Sequence, residues 1–361
     1  MTTGTASASP YLQMNLVSNV PGLATITDAN LRNPWGVSFS AASPFWISDQ
    51  GSGLSTLYSV NATGVSKVGL EVTIPATGTG PQGPTGQVNN NTSSFLVNGV
   101  RSNFIFANLN GQISAWNGSA GTTAQVKATT PGAVYTGLAL GDPSTPRLYA
   151  ANGVTGHIDV FDGSFASVNL GATAFVNTDP RLAGLVPFNV KNIGGNIYVT
   201  YAPPGRAAQI AAGEGVGAVA IFDTDGKLIK TLVAGSLLAS PWGLTLAPST
   251  FGGFGGALLV GNFSFAVSEI NAFDPITGAY LGTIGDQGGH RLINSGLWAL
   301  EFGNGVGAGN PRTLYFTAGI NGEADGLFGS IAAIPEPASL ALLGLGLGLA
   351  GLALSRRSKS G

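Results

Sequence analysis

Asn33-Pro34-Trp35-Gly36-Val37 returns later in the chain as Ser240-Pro241-Trp242-Gly243-Leu244 and as Gly296-Leu297-Trp298-Ala299-Leu300. Weaker copies begin near residues 83, 135 and 187. The aligned positions follow one another in steps of 50, 51, 52, 54 and 56 residues: Gly36, Gly86, Gly137, Asn189, Gly243 and Ala299. A period this regular indicates one supersecondary unit that is repeated six times.

Each unit continues with short apolar segments that end on turn-forming residues. The second segment is typified by Phe45-Trp46-Ile47-Ser48-Asp49, and a third segment follows at a similar distance, as in His157 to Phe161. Such segments are typical of buried strands. Four strands in a unit of about 50 residues predict an all-β, six-bladed β-propeller over residues 11–334. A pair of β-sandwiches is the alternative fold, but it explains neither the six units nor the closure described next.

The sixth unit ends after its third strand, at Gly329 to Ile334. An unassigned apolar segment, Tyr11 to Val17, precedes the first unit. Its apolar and polar residues alternate as in a β-strand. We predict that it forms the outer strand of the last blade and closes the ring, which would also cover an edge prone to aggregation.

Composition excludes several classes of function. Only 9% of the 361 residues are charged and the formal net charge is -2, so the positive surface that nucleic acids require is missing. The chain has no cysteine and two distant histidines, His157 and His290. Disulfides, thiolate zinc sites, a cysteine nucleophile and an HExxH motif are therefore excluded.

The C-terminal end differs from the rest of the chain. Residues 338–354 are 17 uncharged, mostly apolar residues, and Arg356, Arg357 and Lys359 follow them. At about 1.5 Å per residue a helix of this length approaches the thickness of a bilayer core. We predict a single transmembrane helix over 338–354 with the basic tail in the cytoplasm. A buried core helix is the alternative.

Pro335-Glu336-Pro337, the apolar segment and the basic residues Arg356 and Arg357 stand in a characteristic order. Segment 335–361 closely resembles the PEP-CTERM sorting signal of Gram-negative bacteria. The resemblance implies export, recognition by an exosortase and cleavage near Pro335-Glu336-Pro337. Residues 1–10 have no basic or apolar signal-peptide region, so we interpret them as the remnant of a signal peptide or as a disordered tail.

The repeats resemble those of NHL-type and YncE-type propellers. The body, with NPWGVSF near its start and LYFTAGINGEADGLFGSI near its end, also resembles a bacterial family that often carries PEP-CTERM tails. That family has no assigned activity, so the resemblance implies a fold and an extracytoplasmic localisation but no reaction.

Some six-bladed propellers are lactonases that hold calcium at the channel mouth through oxygen ligands. By that analogy the candidate channel-face residues are Asp49, Asn108, Asn152, Asn189, Asn262 and Glu301. The alternative is that Asp and Asn at strand ends cap turns. His290 lies in a polar loop where a ligand contact is conceivable, and the longest departures from the repeat are Ala202 to Gly217 and Asn321 to Gly326. We expect the recurring tryptophans to pack between neighbouring blades.

The sequence therefore predicts an exported protein that is anchored by its C-terminal helix and then displayed or secreted after processing. Its expected role is that of a non-enzymatic binding or structural module in an exopolysaccharide or biofilm matrix. The predicted partners are an exosortase, the membrane, and an extracellular polysaccharide or matrix protein. No cofactor is expected under this hypothesis. The alternative is an extracytoplasmic, metal-dependent lactonase-type hydrolase that uses calcium.

Overall fold

The computed structural model describes residues 10–76 and 80–334 and forms a ring of six mainly antiparallel sheets. The chain begins with β1 (Tyr11–Ser18) and β2 (Ile26–Thr27). It then builds one blade after another, each from the axis of the ring outwards. The predicted six-bladed β-propeller is confirmed, and the β-sandwich alternative is wrong.

The first three blades follow the repeat period, with one small addition in blade 2. Blade 1 contains β3 (Pro34–Ser38), β4 (Phe45–Asp49), β5 (Leu54–Asn61) and β6 (Gly64–Lys67), and β7 (Val72–Thr73) pairs with β5. Blade 2 contains β8 (Pro84–Asn89), the hairpin β9 (Leu96–Val97) and β10 (Val100–Arg101), then β11 (Phe104–Asn108), β12 (Gln112–Trp116) and β13 (Gln125–Thr129). Blade 3 contains β14 (Tyr135–Leu140), β15 (Arg147–Asn152), β16 (His157–Asp162) and β17 (Ser167–Val168).

The last three blades carry the long insertion and the closure. Blade 4 contains β18 (Val186–Ile193), β19 (Asn196–Ala202), the short helix α1 (Arg206–Ala211), β20 (Ala218–Phe222) and β21 (Leu228–Ala234). Blade 5 contains β22 (Pro241–Leu246), β23 (Leu258–Asn262), β24 (Ile270–Phe273) and β25 (Tyr280–Thr283). Blade 6 contains β26 (Leu297–Phe302), β27 (Thr313–Ala318) and β28 (Leu327–Ala333). Short 3-10 turns occupy Gly118–Ala120, Pro180–Leu182 and Gly252–Phe254.

The N-terminal strand closes the ring as predicted. β1 pairs antiparallel with β28, from Tyr11 opposite Ala333 to Ser18 opposite Leu327. Tyr11 is buried against Phe251 and Phe254 of blade 5, and its hydroxyl donates to the carbonyl of Phe251 at 3.1 Å. Blade 6 is therefore assembled from both ends of the propeller sequence.

The inner strands approach one another closely around the axis, and the aligned glycines allow this approach. A Cβ atom on Gly36 would lie 2.4 Å from the carbonyl oxygen of Thr85, and one on Gly86 would lie 2.3 Å from the backbone nitrogen of Leu138. Because backbone atoms on a neighbouring strand cannot yield like a flexible side chain, glycine is required at these contacts. The period found in the sequence therefore marks the innermost contacts of the ring.

Within the described residues, no helix is both long enough and apolar enough to span a bilayer. The predicted transmembrane helix over 338–354 and the sorting-signal segment 335–361 lie outside the described residues, as do residues 1–9.

Candidate functional site

The two faces of the ring differ in the strand ends that they carry. The innermost strands β3, β8, β14, β18, β22 and β26 all begin at one face and finish at the other. We call these the start face and the end face. Because neighbouring strands are antiparallel, the second strand of each blade finishes at the start face.

An aromatic cluster fills the axis at the start face. It consists of Trp35, Phe188, Trp242, Phe263 and Trp298, all buried. The rings of Trp35 and Trp298 stack with centroids 3.6 Å apart, and those of Phe263 and Trp298 with centroids 4.2 Å apart. The tryptophans thus pack between neighbouring blades, as the sequence suggested, and Trp35 and Trp242 also meet edge-on across the axis with centroids 6.2 Å apart.

Arg206 of α1 covers this cluster. Its guanidinium carbon lies 4.1 Å from the ring centre of Phe263 and 4.6 Å from that of Trp298, within cation–π range. Glu323 pairs with Arg206, accepting from its Nε at 2.8 Å, and also accepts from Asn33 Nδ2 at 2.9 Å. The two longest departures from the repeat, at 202–217 and 321–326, therefore meet over the axis. Arg206 was not among the residues predicted from the sequence to form a site.

Four of the predicted site residues lie at the start face, where Asn108 and Asn152 cap turns and Asn262 and Asp49 bind more distant backbone. Asn108 Oδ1 accepts from the backbone nitrogen of Asn110, Asn152 Oδ1 accepts from that of Val154, and Asn262 Oδ1 accepts from that of Ala239. In blade 1, Asp49 Oδ2 accepts from both the backbone nitrogen and the hydroxyl of Thr56. The side-chain oxygen atoms of the three asparagines, and Oδ2 of Asp49, are thus already bonded within the fold.

Asp49 differs from its three amide counterparts because its second oxygen, Oδ1, is buried and has no hydrogen-bond partner among the described residues. Burial raises the pKa of Asp49 well above the usual carboxyl value, and the bonds from Thr56 offset this only in part. A raised pKa in the folded state favours the neutral acid. Stability is then highest below the ordinary pKa of the unfolded chain and is lost as the pH rises through the folded pKa.

Asp49→Asn is therefore expected to stabilise the protein at pH 7 by about 1–3 kcal/mol, because it removes an ionisable group from a buried site. Near pH 3, below the ordinary carboxyl pKa of about 3.9, the gain should largely vanish, since Asp49 is then mostly neutral in both states. Urea unfolding at the two pH values measures the difference. The reverse change, Asn262→Asp, is the matched control and should destabilise at pH 7. A gain for Asp49→Asn that is equal at both pH values would contradict this account.

His290 also lies at the start face, in the loop between blades 5 and 6. Its side chain is 81% exposed and its Nδ1 lies 3.3 Å from Asp286 Oδ2. Among the described residues, no group of three or more histidine, aspartate or glutamate side chains is placed to hold a metal ion.

The end face carries an open cavity of about 480 Å³ on the axis. Trp242 lines it from the aromatic cluster, and the carboxyl halves of the inner strands form its walls. Small-molecule sites commonly occupy about 300–1,000 Å³, so the cavity can hold a ligand of one or two rings. Of the predicted site residues, Asn189 and Glu301 line this cavity.

Lys191 pairs with Glu301 across the cavity. Its Nζ also donates to the carbonyl of Leu300 at 3.3 Å. Lys191 stands in blade 4 and Glu301 in blade 6, so the ion pair joins two blades that are not adjacent in the ring. Asn189 Nδ2 donates to the carbonyl of Trp242 at 2.8 Å and so joins blades 4 and 5. Lys191 was not among the predicted site residues, although it stands two residues after an aligned repeat position, as Glu301 does.

Comparisons with known proteins agree with the fold and with the C-terminal signal. The model of the PEP-CTERM protein-sorting motif matches residues 333–357. This motif implies export, targeting to the cell surface and processing by an exosortase. Membership of the bacterial family suggested by the sequence stays a prediction.

Two solved structures are similar in fold. Virginiamycin B lyase from Staphylococcus aureus superposes with a TM-score of 0.53 at 12% identity, over 90% of this chain and 99% of that one. A streptogramin B lyase gives a TM-score of 0.53 at 11% identity, over 91% of this chain and 98% of that one. At such identities the likeness concerns the fold alone.

A relative in sequence is the uncharacterized protein R648 of Acanthamoeba polyphaga mimivirus. It is 30% identical over 331 residues, which cover 88% of this chain and 78% of the relative. The chain belongs to the family of R648, as a six-bladed propeller that carries a PEP-CTERM sorting motif at its C-terminal end.

Proposed function

We propose that this protein is a non-enzymatic binding module of an extracellular exopolysaccharide or biofilm matrix. The apolar segment 338–354 holds the precursor in the membrane, and an exosortase then cuts near Pro335-Glu336-Pro337. The propeller is thereby displayed at the cell surface or released, and it binds its ligand in the end-face cavity.

The observation that carries this proposal is the end-face cavity itself. It is open and of ligand size, and Trp242 lines it together with polar side chains. Aromatic rings beside fixed hydrogen-bonding groups suit the apolar faces and hydroxyl groups of sugars. Lys191 and Glu301 bind each other there, which favours a role in binding over one as a free acid or base.

The alternative, a metal-dependent lactonase-type hydrolase, has less support. The oxygen atoms of Asn108, Asn152 and Asn262 accept backbone hydrogen bonds, so they are poorly free to ligate calcium. Asp49 would add one carboxylate, but it is fully buried.

Asn91→Trp tests the proposal, because Asn91 is an exposed residue on the wall of the cavity. An indole there should obstruct the mouth without disturbing the sheet. We expect the variant to lose about tenfold or more in affinity for exopolysaccharide from the producing organism, which corresponds to about 1.4 kcal/mol. Co-sedimentation of the purified full chain with the polysaccharide measures the affinity.

Ala62→Trp is the matched control. Ala62 is exposed in the turn between β5 and β6, at the same face but on the outer rim. The Ala62→Trp variant carries the same added indole and should bind the exopolysaccharide like the unmodified protein. If Asn91→Trp also binds normally, the cavity is not the binding site. A rise in melting temperature on adding calcium would instead favour the lactonase alternative, since a ligand of the folded state stabilises it.

A further inference from the structure

The end-face cavity has a surplus of negative charge. Three charged side chains of the described residues line it: Lys191, Glu301 and Asp142. Lys191 is already paired with Glu301. Asp142 is exposed, and hydrogen bonds from Ser144 lower its pKa, so it stays ionised at neutral pH. One carboxylate therefore remains without a compensating cation in the lining.

The amide side chains of the lining use their hydrogens to join strands. Asn189 Nδ2 donates to the carbonyl of Trp242 at 2.8 Å, and Asn192 Nδ2 donates to that of Leu140 at 2.9 Å. These bonds link blade 4 to blades 5 and 3. They fix the orientation of both amides, because a flipped amide would turn its oxygen towards a carbonyl oxygen.

Gln87 adds an unsatisfied acceptor to the same cavity. Its Nε2 donates to the carbonyls of Gly36, at 3.0 Å, and of Trp46, so both amide hydrogens are used. Within the part of the chain that the structure describes, its Oε1 has no partner, although the residue is only 5% exposed. At the equivalent position the other five blades carry aliphatic residues: Val37, Leu138, Val190, Leu244 and Leu300. Packing alone would therefore accept an aliphatic residue here, and a buried acceptor without a donor costs about 1–3 kcal/mol.

Lys191 shows how an ammonium group is held at this site. Its Nζ lies between the carboxylate of Glu301 and the carbonyl of Leu300. The lining thus offers acceptors and net negative charge, which suit a ligand that donates hydrogen bonds and carries positive charge.

We infer that the end-face cavity binds an amino sugar with a free ammonium group, in preference to neutral or acidic sugars. This inference rests on the proposed function, because it names the sugar class that the same cavity takes. The ammonium group is recognised by the exposed carboxylate of Asp142, and the sugar ring lies towards Trp242.

Titration calorimetry of the full chain at pH 6 tests the inference with four disaccharides. The probes are the glucosamine dimer, its N-acetylated form, cellobiose and digalacturonate. We expect the glucosamine dimer to bind about tenfold or more tightly than cellobiose or the N-acetylated form, and digalacturonate to bind most weakly. Equal affinities, or a preference for digalacturonate, would overturn the inference.

Two variants assign the preference to the cavity. Asp142→Asn should reduce the preference for the glucosamine dimer to about threefold or less, because it removes the uncompensated carboxylate. Asp286→Asn removes one carboxylate at the start face, near His290, and should keep the full preference. If both variants lose the preference, overall charge rather than the cavity sets the selectivity; if both keep it, Asp142 does not recognise the ammonium group. Either result would overturn the inference.

Failure of this inference can be distinguished from failure of the proposed function. If no disaccharide binds while the chain still sediments with exopolysaccharide in an Asn91-dependent way, the inference is wrong and the proposed function stands. If the glucosamine dimer binds in an Asp142-dependent way but the chain does not associate with the matrix, the inference stands and the matrix role is wrong.

Discussion

Replacing Trp298 with alanine is expected to lower the free energy of unfolding by about 3–5 kcal/mol. The indole is fully buried on the axis, stacks on Trp35 and Phe263, and lies edge-on to Trp242. Its Nε1 donates to Asn33 Oδ1 at 3.0 Å. The inner strands around the resulting void are each held in a separate sheet, so they cannot close in to fill it.

Urea unfolding followed by far-UV circular dichroism measures this loss without relying on the fluorescence of the residue removed. Trp298→Phe is the conservative control. It keeps an aromatic ring on the axis but loses the bond to Asn33, and it should cost less than half as much. A loss below about 1 kcal/mol for Trp298→Ala would mean that the axis relaxes around the void, which contradicts a rigid aromatic cluster.

The ring and its closure could be predicted from the sequence because both follow from periodicity. The aligned glycines, the apolar second strands and the missing fourth strand of the last unit are properties of single segments. The pairing of Tyr11–Ser18 with β28 then follows from the need to cover an edge. None of these predictions required a side-chain position.

The contents of the channel could be predicted only in part. Asn189 and Glu301 were identified and do line the cavity, whereas Asp49 and the strand-end asparagines lie at the other face. Sequence spacing predicts the position of a residue within its blade, but it does not predict which residues of other blades that residue contacts across the ring. The pairing of Lys191 with Glu301 depends on the curvature that brings blades 4 and 6 together. Arg206 reaches the axis from an insertion that has no counterpart in the other repeats.

Gly86→Ala is expected to cost about 3 kcal/mol or more of unfolding free energy, the upper part of the range for overpacking. The added Cβ would lie 2.3 Å from the backbone nitrogen of Leu138 and 2.7 Å from the carbonyl carbon of Gly137. Both atoms belong to the inner strand of blade 3, so relief requires blades 2 and 3 to separate. That movement would also strain the Gln87 bonds that hold blade 2 to blade 1.

Gly69→Ala is the matched control, since a Cβ there meets nothing within 4 Å and the backbone is not left-handed. It should be neutral, or stabilising by up to about 1 kcal/mol through the reduced entropy of the unfolded chain. Equal effects at the two positions would show that backbone freedom, rather than contact between inner strands, explains the glycine at residue 86. A large loss confined to Gly86→Ala would instead support the close approach of strands around the axis as the reason for glycine at this repeat position, because the added Cβ meets backbone atoms only there.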